Sequence, residues 1–220
     1  LSAKTIMEIP FQAVLFDLDG VLVDACDWHY ESLNRALQQT VGYSISREDH
    51  LLKYNGLPTK VKLKMLGIDD GLAQKINDLK QSLTIEVIEE NAIIMTEKIE
   101  LLSYLKSIGV KTACVTNSIK KTASMMLSKT GQLEYLDAVI SNEDVAKNKP
   151  NPDCYNLAIS VLNVDPEFVL CVEDSITGIT AALNSSAKYL WKVSDTTEVT
   201  LDGYRRFCNE DFDTHGGRGK

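Results

Sequence analysis

Four short polar clusters in this 220-residue chain carry side chains able to do chemistry: Asp17-Leu18-Asp19-Gly20, Thr116-Asn117-Ser118, Lys149-Pro150 and Glu173-Asp174. Acids grouped with a hydroxyl, an amide and an ammonium suit phosphoryl transfer. That chemistry asks for a nucleophile, a proton donor for the leaving oxygen, and cations to balance the charge of the transferring group. A carboxylate can be the nucleophile because it is already ionised at neutral pH. Taken singly, each cluster is a weak sign. Asp-x-Asp-Gly is commonly a plain turn, Thr-Asn-Ser a loop or helix cap, and Lys-Pro a surface turn. Glu-Asp is commonly a solvated strand end or a pair of acids favoured at a helix N-terminus. Their joint order is what lifts them.

Each cluster trails a short apolar run. Residues 13–16 (Ala-Val-Leu-Phe) end at Asp17, 110–115 end before Thr116, and 168–172 end before Glu173. Lys149 stands in the loop after a further run at 138–140, and 188–193 is a fifth. Apolar runs of this length, bounded by polar and turn residues, predict strands. Helical periodicity between them predicts an α/β fold: a Rossmann-like, mainly parallel sheet with helices on both faces. In such sheets ligands bind outside the carboxyl ends of the strands, where these clusters fall. In 97–108, Leu101, Leu105 and Ile108 follow a helical period, with Gly109 as a stop. A later helix is expected with Asn151 as cap and Pro152 in its first turn, and with Tyr155, Ala158, Ile159 and Leu162 on one core-packing face.

Residues 25–91 break the alternation. They show helical periodicity, with Trp28, Leu33 and Leu37 on one face and further helical stretches at 61–66 and 72–88, and no strand. This predicts an all-helical cap inserted after the first strand. The expected organisation is an α/β core of residues 1–24 and 92–202, a helical cap of 25–91, and a poorly ordered tail of 203–220.

The formal net charge is −8 and the pI near 5.0. Such an acidic chain is a poor partner for nucleic acid or an anionic membrane. It also repels phosphorylated substrates, so a phosphate site needs local positive charge from a metal, a lysine or a helix N-terminus. No run is long and apolar enough to span a bilayer, and residues 1–10 lack the plan of a secretory signal. Cys26, Cys114, Cys154, Cys171 and Cys208 are scattered and odd in number, which predicts reduced thiols in a cytoplasmic protein and no structural zinc site.

Together, Phe16-Asp17-Leu18-Asp19-Gly20-Val21-Leu22-Val23-Asp24, Val115-Thr116-Asn117-Ser118, Lys149-Pro150-Asn151-Pro152-Asp153 and Val172-Glu173-Asp174-Ser175, with Gly178 and Ala181-Ala182, resemble the haloacid dehalogenase superfamily. Within it they look most like the beta-phosphoglucomutase and phosphoglycolate phosphatase-like branch, over roughly residues 11–195. The resemblance implies that Asp17 is the nucleophile and Asp19 the general acid and base. It implies Mg²⁺ held by Asp174, a carboxylate oxygen of Asp17 and the main-chain carbonyl of Asp19, with Glu173 in support; hard oxygen ligands suit that ion. Thr116 would offer a hydroxyl and Asn117 an amide to phosphate oxygens. Lys149 would offer its charge to Asp17 and the phosphoryl group, aimed by the restriction Pro150 places on its backbone, and Ser118 would cap the next helix. Asp24 and His29 match positions lining the cap hinge. Gly56-Leu57-Pro58-Thr59 resembles the cap loop facing the substrate, and Lys80 is expected to be an exposed side chain.

An aspartate at position 19 looks like a phosphatase or phosphomutase, since dehalogenases of the superfamily lack this acid and ion-pumping ATPases carry threonine there. The sequence also departs from its resemblance. Beta-phosphoglucomutases carry an arginine in the cap loop, where this chain has Thr59-Lys60, and Ser185-Ser186 replaces the usual Ala-Gly. The first departure tilts the reading to a Mg²⁺-dependent phosphatase of a small phosphorylated metabolite, such as a sugar phosphate or phosphoglycolate. A phosphomutase is the alternative, and a non-catalytic binding protein on the same fold the alternative of another class. The implied partner is a small-molecule phosphate ester, not nucleic acid or membrane, and the implied state a monomer.

Overall fold

The computed structural model describes residues 11–54 and 57–215. The chain divides at Asp24/Ala25 and Ala92/Ile93 into two compact units.

The first unit is built on five strands: β1 (Ala13–Phe16), β2 (Lys111–Val115), β3 (Ala138–Ile140), β4 (Val169–Glu173) and β5 (Tyr189–Lys192). They pair in the order β3-β2-β1-β4-β5, every pair parallel. β1 and β4 are buried along their whole length, which is why they read as unbroken apolar runs: a central parallel strand is covered on both faces. Between them run α5 (Thr96–Ser107), α6 (Lys120–Lys129), α7 (Asp153–Leu162) and α8 (Ile176–Asn184). One side of the core packs Tyr155, Ala158, Ile159 and Leu162 of α7 and Ala181 and Ala182 of α8 against Leu15, Val115, Val169 and Cys171. From β1 the sheet grows one way to β2 and β3, and then the other way to β4 and β5. The loops after β1 and β4 therefore open at a reversal of strand order, where a crevice forms. Phe16 pairs with both Cys114 and Val172, so three strands end nearly level.

The second unit is helical: α1 (Cys26–Val41), α2 (Arg47–Asp49) with a wide helical turn at His50–Tyr54, α3 (Thr59–Met65) and α4 (Asp70–Asn91). Leu33, Ala36 and Leu37 of α1 meet Ile45, Leu63, Ile76 and Leu83 in its core, while Trp28 is half-buried. Gly42 stops α1 in the left-handed conformation (φ 66°). Asp69 caps α4 by accepting from the Leu72 N–H at 3.0 Å.

Two local expectations, a helix cap and the tail, are corrected, and one peptide is noted with them. Helix α7 begins at Asp153, with Pro152 as its cap and no side-chain cap bond; the Asn151 amide donates instead to the Asn148 carbonyl at 3.0 Å. The Lys149-Pro150 peptide is cis. Residues 203–215, read as tail, continue α9 (Leu201–His215), whose Leu201, Gly203 and Tyr204 are buried. Buried Lys98 of α5 donates to the Thr196 carbonyl and, at 2.6 Å, to the Val199 carbonyl, tying α5 to the segment that leads into α9.

Among the described residues no helix is long and apolar enough to cross a membrane. Cys114, Cys154 and Cys171 are buried, and no disulfide forms.

Candidate active site

Asp17 follows the last residue of β1, its N–H bonded to the Val172 carbonyl at 3.0 Å. That bond fixes the backbone from which the carboxylate projects. The next residues curl back sharply. The Leu18 carbonyl accepts from the N–H groups of Leu22 and Val23, both at 2.9 Å, and Gly20 N–H bonds the Val23 carbonyl at 2.8 Å. Gly20 sits at φ +86°, and a Cβ there would overlap the Asp174 carboxylate. Glycine is therefore required twice: for its backbone conformation and for the close approach of the loop after β4.

Lys149 ties the strand ends together. Its ammonium donates to Asp17 Oδ1 at 2.7 Å, Glu173 Oε1 at 2.7 Å and the Val115 carbonyl at 2.8 Å. All three of its N–H bonds are thereby used on groups from β1, β4 and β2. Its main chain is held by Asn117, whose Oδ1 accepts from Lys149 N–H at 3.1 Å and whose Nδ2 donates to the Lys149 carbonyl at 3.2 Å. The Asn117 amide, expected to face a phosphate, is thus engaged at both ends in positioning Lys149. Thr116 is buried, and its hydroxyl accepts from Ser118 N–H at 3.0 Å. Ser118 does not cap α6, whose cap position is Ile119. Its hydroxyl points to Asp19 Oδ2 at 3.4 Å, and the first N–H of α6, on Lys120, is taken by Glu143 at 2.7 Å.

Glu173 is fully buried. Its Oε1 also accepts from Tyr155 OH at 2.5 Å, and the Lys149 ammonium lies 5.0 Å from the centre of the Tyr155 ring. Tyr155 is the site residue that sequence reading missed. It was read as one of four core residues on α7, and the available signal was a hydroxyl on an otherwise apolar face. Such a hydroxyl needs a partner once buried. Gly178 of α8 is likewise demanded by Glu173, since a Cβ there would overlap its carboxylate. Tyr155→Phe is expected to remove a hydrogen bond to a buried charge, costing about 1.5–3 kcal/mol. A denaturant midpoint equal to that of the parent would refute the assignment.

One oxygen from each of Asp17, Glu173 and Asp174 lies within 4.8 Å of the others. Glu173 Oε2 and Asp174 Oδ1 are buried and have no hydrogen-bond partner among the described residues. Buried carboxylate oxygens left in this way are costly. Lys149 alone does not balance Asp17, Asp19, Glu173 and Asp174. Excess buried negative charge, hard oxygen donors and unsatisfied oxygens are together what a divalent cation of the Mg²⁺ kind fits. The Asp19 side chain is not part of this three-acid group; its expected contribution was a main-chain carbonyl.

The electrostatics follow the burial. Burial raises the Asp17 carboxyl, Lys149 pulls it down and Glu173 pushes it up, to about 8 for the acids by themselves. Asp174 is raised by burial and then by Glu173. Burial works against the Lys149 ammonium, but Asp17 and Glu173 more than offset it, and its pKa is raised. The proton of the pair therefore stays on Lys149, and a cation among the acids favours ionised Asp17.

The remaining sequence candidates belong to the end of the first unit's opening segment and to the helical unit. Asp24 is exposed at the end of the first unit. In the helical unit, His29 is half-buried with Nδ1 3.4 Å from Lys80 Nζ. Lys80, expected to be exposed, is 7% exposed. Half-buried Thr59 opens α3, and Gly56 lies outside the described residues.

A parallel sheet with an acid at the end of β1, a lysine reaching it from the loop after β3 and an acid pair at the end of β4 defines a class of hydrolase. The family model described as haloacid dehalogenase-like hydrolase matches residues 14–192, and the chain belongs to that family. Among curated relatives, a phosphorylated carbohydrates phosphatase of Thermotoga maritima is 28% identical over 190 residues, covering 83% of this chain and 85% of the relative. The pyrophosphatase PpaX of Bacillus velezensis is 29% identical over 176 residues, covering 80% of each chain. Among solved structures, CbbY of Rhodobacter sphaeroides in complex with phosphate superposes with a TM-score of 0.72 at 22% identity, covering 88% of this chain and 92% of that one, and shares the fold.

Proposed function

We propose that this chain is a Mg²⁺-dependent phosphatase that hydrolyses a small phosphorylated metabolite, a sugar phosphate or phosphoglycolate-like ester, through an aspartyl-phosphate on Asp17. The observation that carries this reading is the Lys149 ammonium, 2.7 Å from Asp17 Oδ1 and 2.7 Å from Glu173 Oε1, beside an acid group that includes Asp174. The names of the curated relatives, phosphatases of phosphorylated carbohydrates and of pyrophosphate, support the class of reaction.

In this reading the Asp17 carboxylate attacks phosphorus in line, held by the Val172 carbonyl through its backbone and by Lys149 through its side chain. Asp19 gives a proton to the leaving oxygen. It then takes one from the water that opens the acyl phosphate, the order that a group acting as acid and then base requires. Lys149 neutralises charge that gathers on the transferring group, and Asn117 keeps it aimed. Mg²⁺, held by Asp17, Asp174 and Glu173 with the Asp19 main chain, would supply charge neutralisation and orientation of the phosphoryl group. The helical unit serves as the cap that excludes water and reads the substrate, and the enzyme is a cytoplasmic monomer.

The test is phosphate release from a panel of metabolite phosphates, with Mg²⁺ and with a chelator. Release from at least one ester, abolished by chelation, is the expected result. No release from any ester would favour the non-catalytic reading. A sugar 1-phosphate converted to its 6-phosphate isomer, with no free phosphate, would make the protein a mutase.

The Asp17 shift also sets a pH signature. A carboxyl whose folded pKa lies above its unfolded value contributes stability that is full at low pH and is lost as pH rises through the folded value. The metal-free protein should therefore melt lower at pH 8 than at pH 6, and Mg²⁺ should stabilise more at pH 8, because binding displaces protons from the acids. Equal Mg²⁺ stabilisation at both pH values would count against the acid cluster as the metal site.

A further inference from the structure

Helix α6 ends in a turn that buries an amide. Gly131 takes the left-handed conformation (φ 79°), its N–H bonds the Ser128 carbonyl at 3.1 Å, and the Gln132 N–H bonds the Leu127 carbonyl at 2.8 Å. This is the Schellman ending of a helix, in which the residue after the glycine commonly packs an apolar side chain back on the last turn. Here that residue is Gln132, and it is 0% exposed.

Gln132 Nε2 donates to the Leu22 carbonyl at 3.0 Å and to Thr130 Oγ1 at 2.9 Å. Both of its N–H groups are thereby used. Thr130, 1% exposed, gives its own proton to the Met126 carbonyl at 2.8 Å and so accepts from Gln132. A reversed amide would set Oε1 against the Leu22 carbonyl, so the network fixes which way the amide points. Gln132 Oε1 is buried and has no hydrogen-bond partner among the described residues, which costs stability. An apolar side chain would avoid that cost but lose the donor to Leu22. What the amide adds is a hold on a carbonyl 110 residues away.

Leu22 belongs to the turn that carries Asp19. The bonds from Leu22 N–H and Val23 N–H to the Leu18 carbonyl, and from Gly20 N–H to the Val23 carbonyl, all lie within residues 18–23. They set the shape of the turn but not its place. Its entry is fixed by the Asp17 N–H on the Val172 carbonyl, and its exit by Gln132 on the Leu22 carbonyl. A group that transfers protons must be held to within about 0.5 Å by its surroundings.

We propose that Gln132 is a positioning residue: by holding the Leu22 carbonyl it places the turn so that Asp19 meets the leaving oxygen. This rests on the phosphatase reading above. The loss of such a residue shows most where the leaving group needs a proton. An alkoxide needs one to depart, and a nitrophenolate does not.

The experiment compares kcat/KM for benzyl phosphate and p-nitrophenyl phosphate, two esters of similar shape, in the parent and in Gln132→Met. Methionine keeps the length of the side chain and removes both N–H bonds. The benzyl ester is expected to lose at least about tenfold more than the nitrophenyl ester, part of what a placed acid contributes. Lys98→Met, which breaks buried bonds to the Thr196 and Val199 carbonyls of the same unit, should lower both esters alike. Amide hydrogen exchange is the second readout. Gly20, Leu22 and Val23 should exchange faster in Gln132→Met, while Met95, whose N–H bonds the Thr130 main-chain carbonyl at 3.0 Å, should not. Equal losses on the two esters, or unchanged exchange in the turn, would overturn the proposal. A parent inactive on both esters would instead overturn the phosphatase reading, and exchange would still decide whether Gln132 holds the turn. Should Gln132→Met fail to fold, the Gln132 side-chain N–H signals of the parent decide: slow exchange with water supports the hold, and fast exchange refutes it.

Discussion

Asp17→Asn is expected to lower phosphate release by at least about 10³-fold while the protein still folds. The amide is nearly isosteric, but it is not a nucleophile towards phosphorus, and the loss of a single reacting group in a cooperating set removes most of the rate. Folding should survive for a physical reason. Burial disfavours the charge on Asp17, so a neutral side chain in its place is relieved of that cost while still offering an oxygen to Lys149. The measurement pairs steady-state phosphate release with a thermal melt, and adds acid-quenched trapping of radiolabelled phosphoenzyme. Phosphoenzyme in the parent and none in the variant is the expected pattern. A variant that melts like the parent and turns over like the parent would remove Asp17 from the chemistry.

Lys149→Met should be the most damaging substitution for the fold as well as for turnover. The ammonium is 4% exposed at the side chain, against 12% for Asp17 and 0% for Glu173. Solvent therefore screens these pairs little. Removing the cation drives Asp17 further towards its protonated form, and leaves Asp17, Glu173 and the Val115 carbonyl without their shared donor. Breaking a buried pair in this way costs about 3–5 kcal/mol, a large part of the stability of a domain this size. Excess Mg²⁺ should recover part of that stability by supplying positive charge to the same acids, but not the rate. Lys149→Arg should not rescue turnover, because a planar guanidinium cannot direct N–H bonds at Asp17, Glu173 and Val115 from the point a single ammonium nitrogen occupies. Denaturant melts with and without Mg²⁺ check the first statement and phosphate release the second. A loss below about 1 kcal/mol, the range of a solvated ion pair, would show that Lys149 does not bind the strand ends together.

Much of the architecture is legible without coordinates because its signals are local. Ala13–Phe16 and Ala138–Ile140 are strands at the limits their apolar residues mark. The predicted helix from residue 97 lies within one residue of Thr96–Ser107 at each end. Local signals mislead where a competing partner lies a few residues away. Asn151 looked like a helix cap, yet its amide turns to Asn148. Ser118 looked like another, but its hydroxyl points across the strand ends to Asp19. The segment from residue 203 looked like a tail because its charges hide Leu201 and Tyr204, two of the buried residues of its helix.

The order of residues along the chain determined which chemistry is available: the strand runs place each polar cluster at or beyond a carboxyl end, and parallel pairing carries those ends to one edge. What only the tertiary structure decided is which atoms meet there. Lys149 and Asp17 are 132 residues apart, and Tyr155 and Glu173 are 18 apart. Periodicity says which face of an element is covered, and not which side chain covers it. For the same reason Lys80 reads as an ordinary solvated lysine and is buried in the folded chain. A charge is assigned to solvent by its type, but its surroundings are set by packing between distant segments.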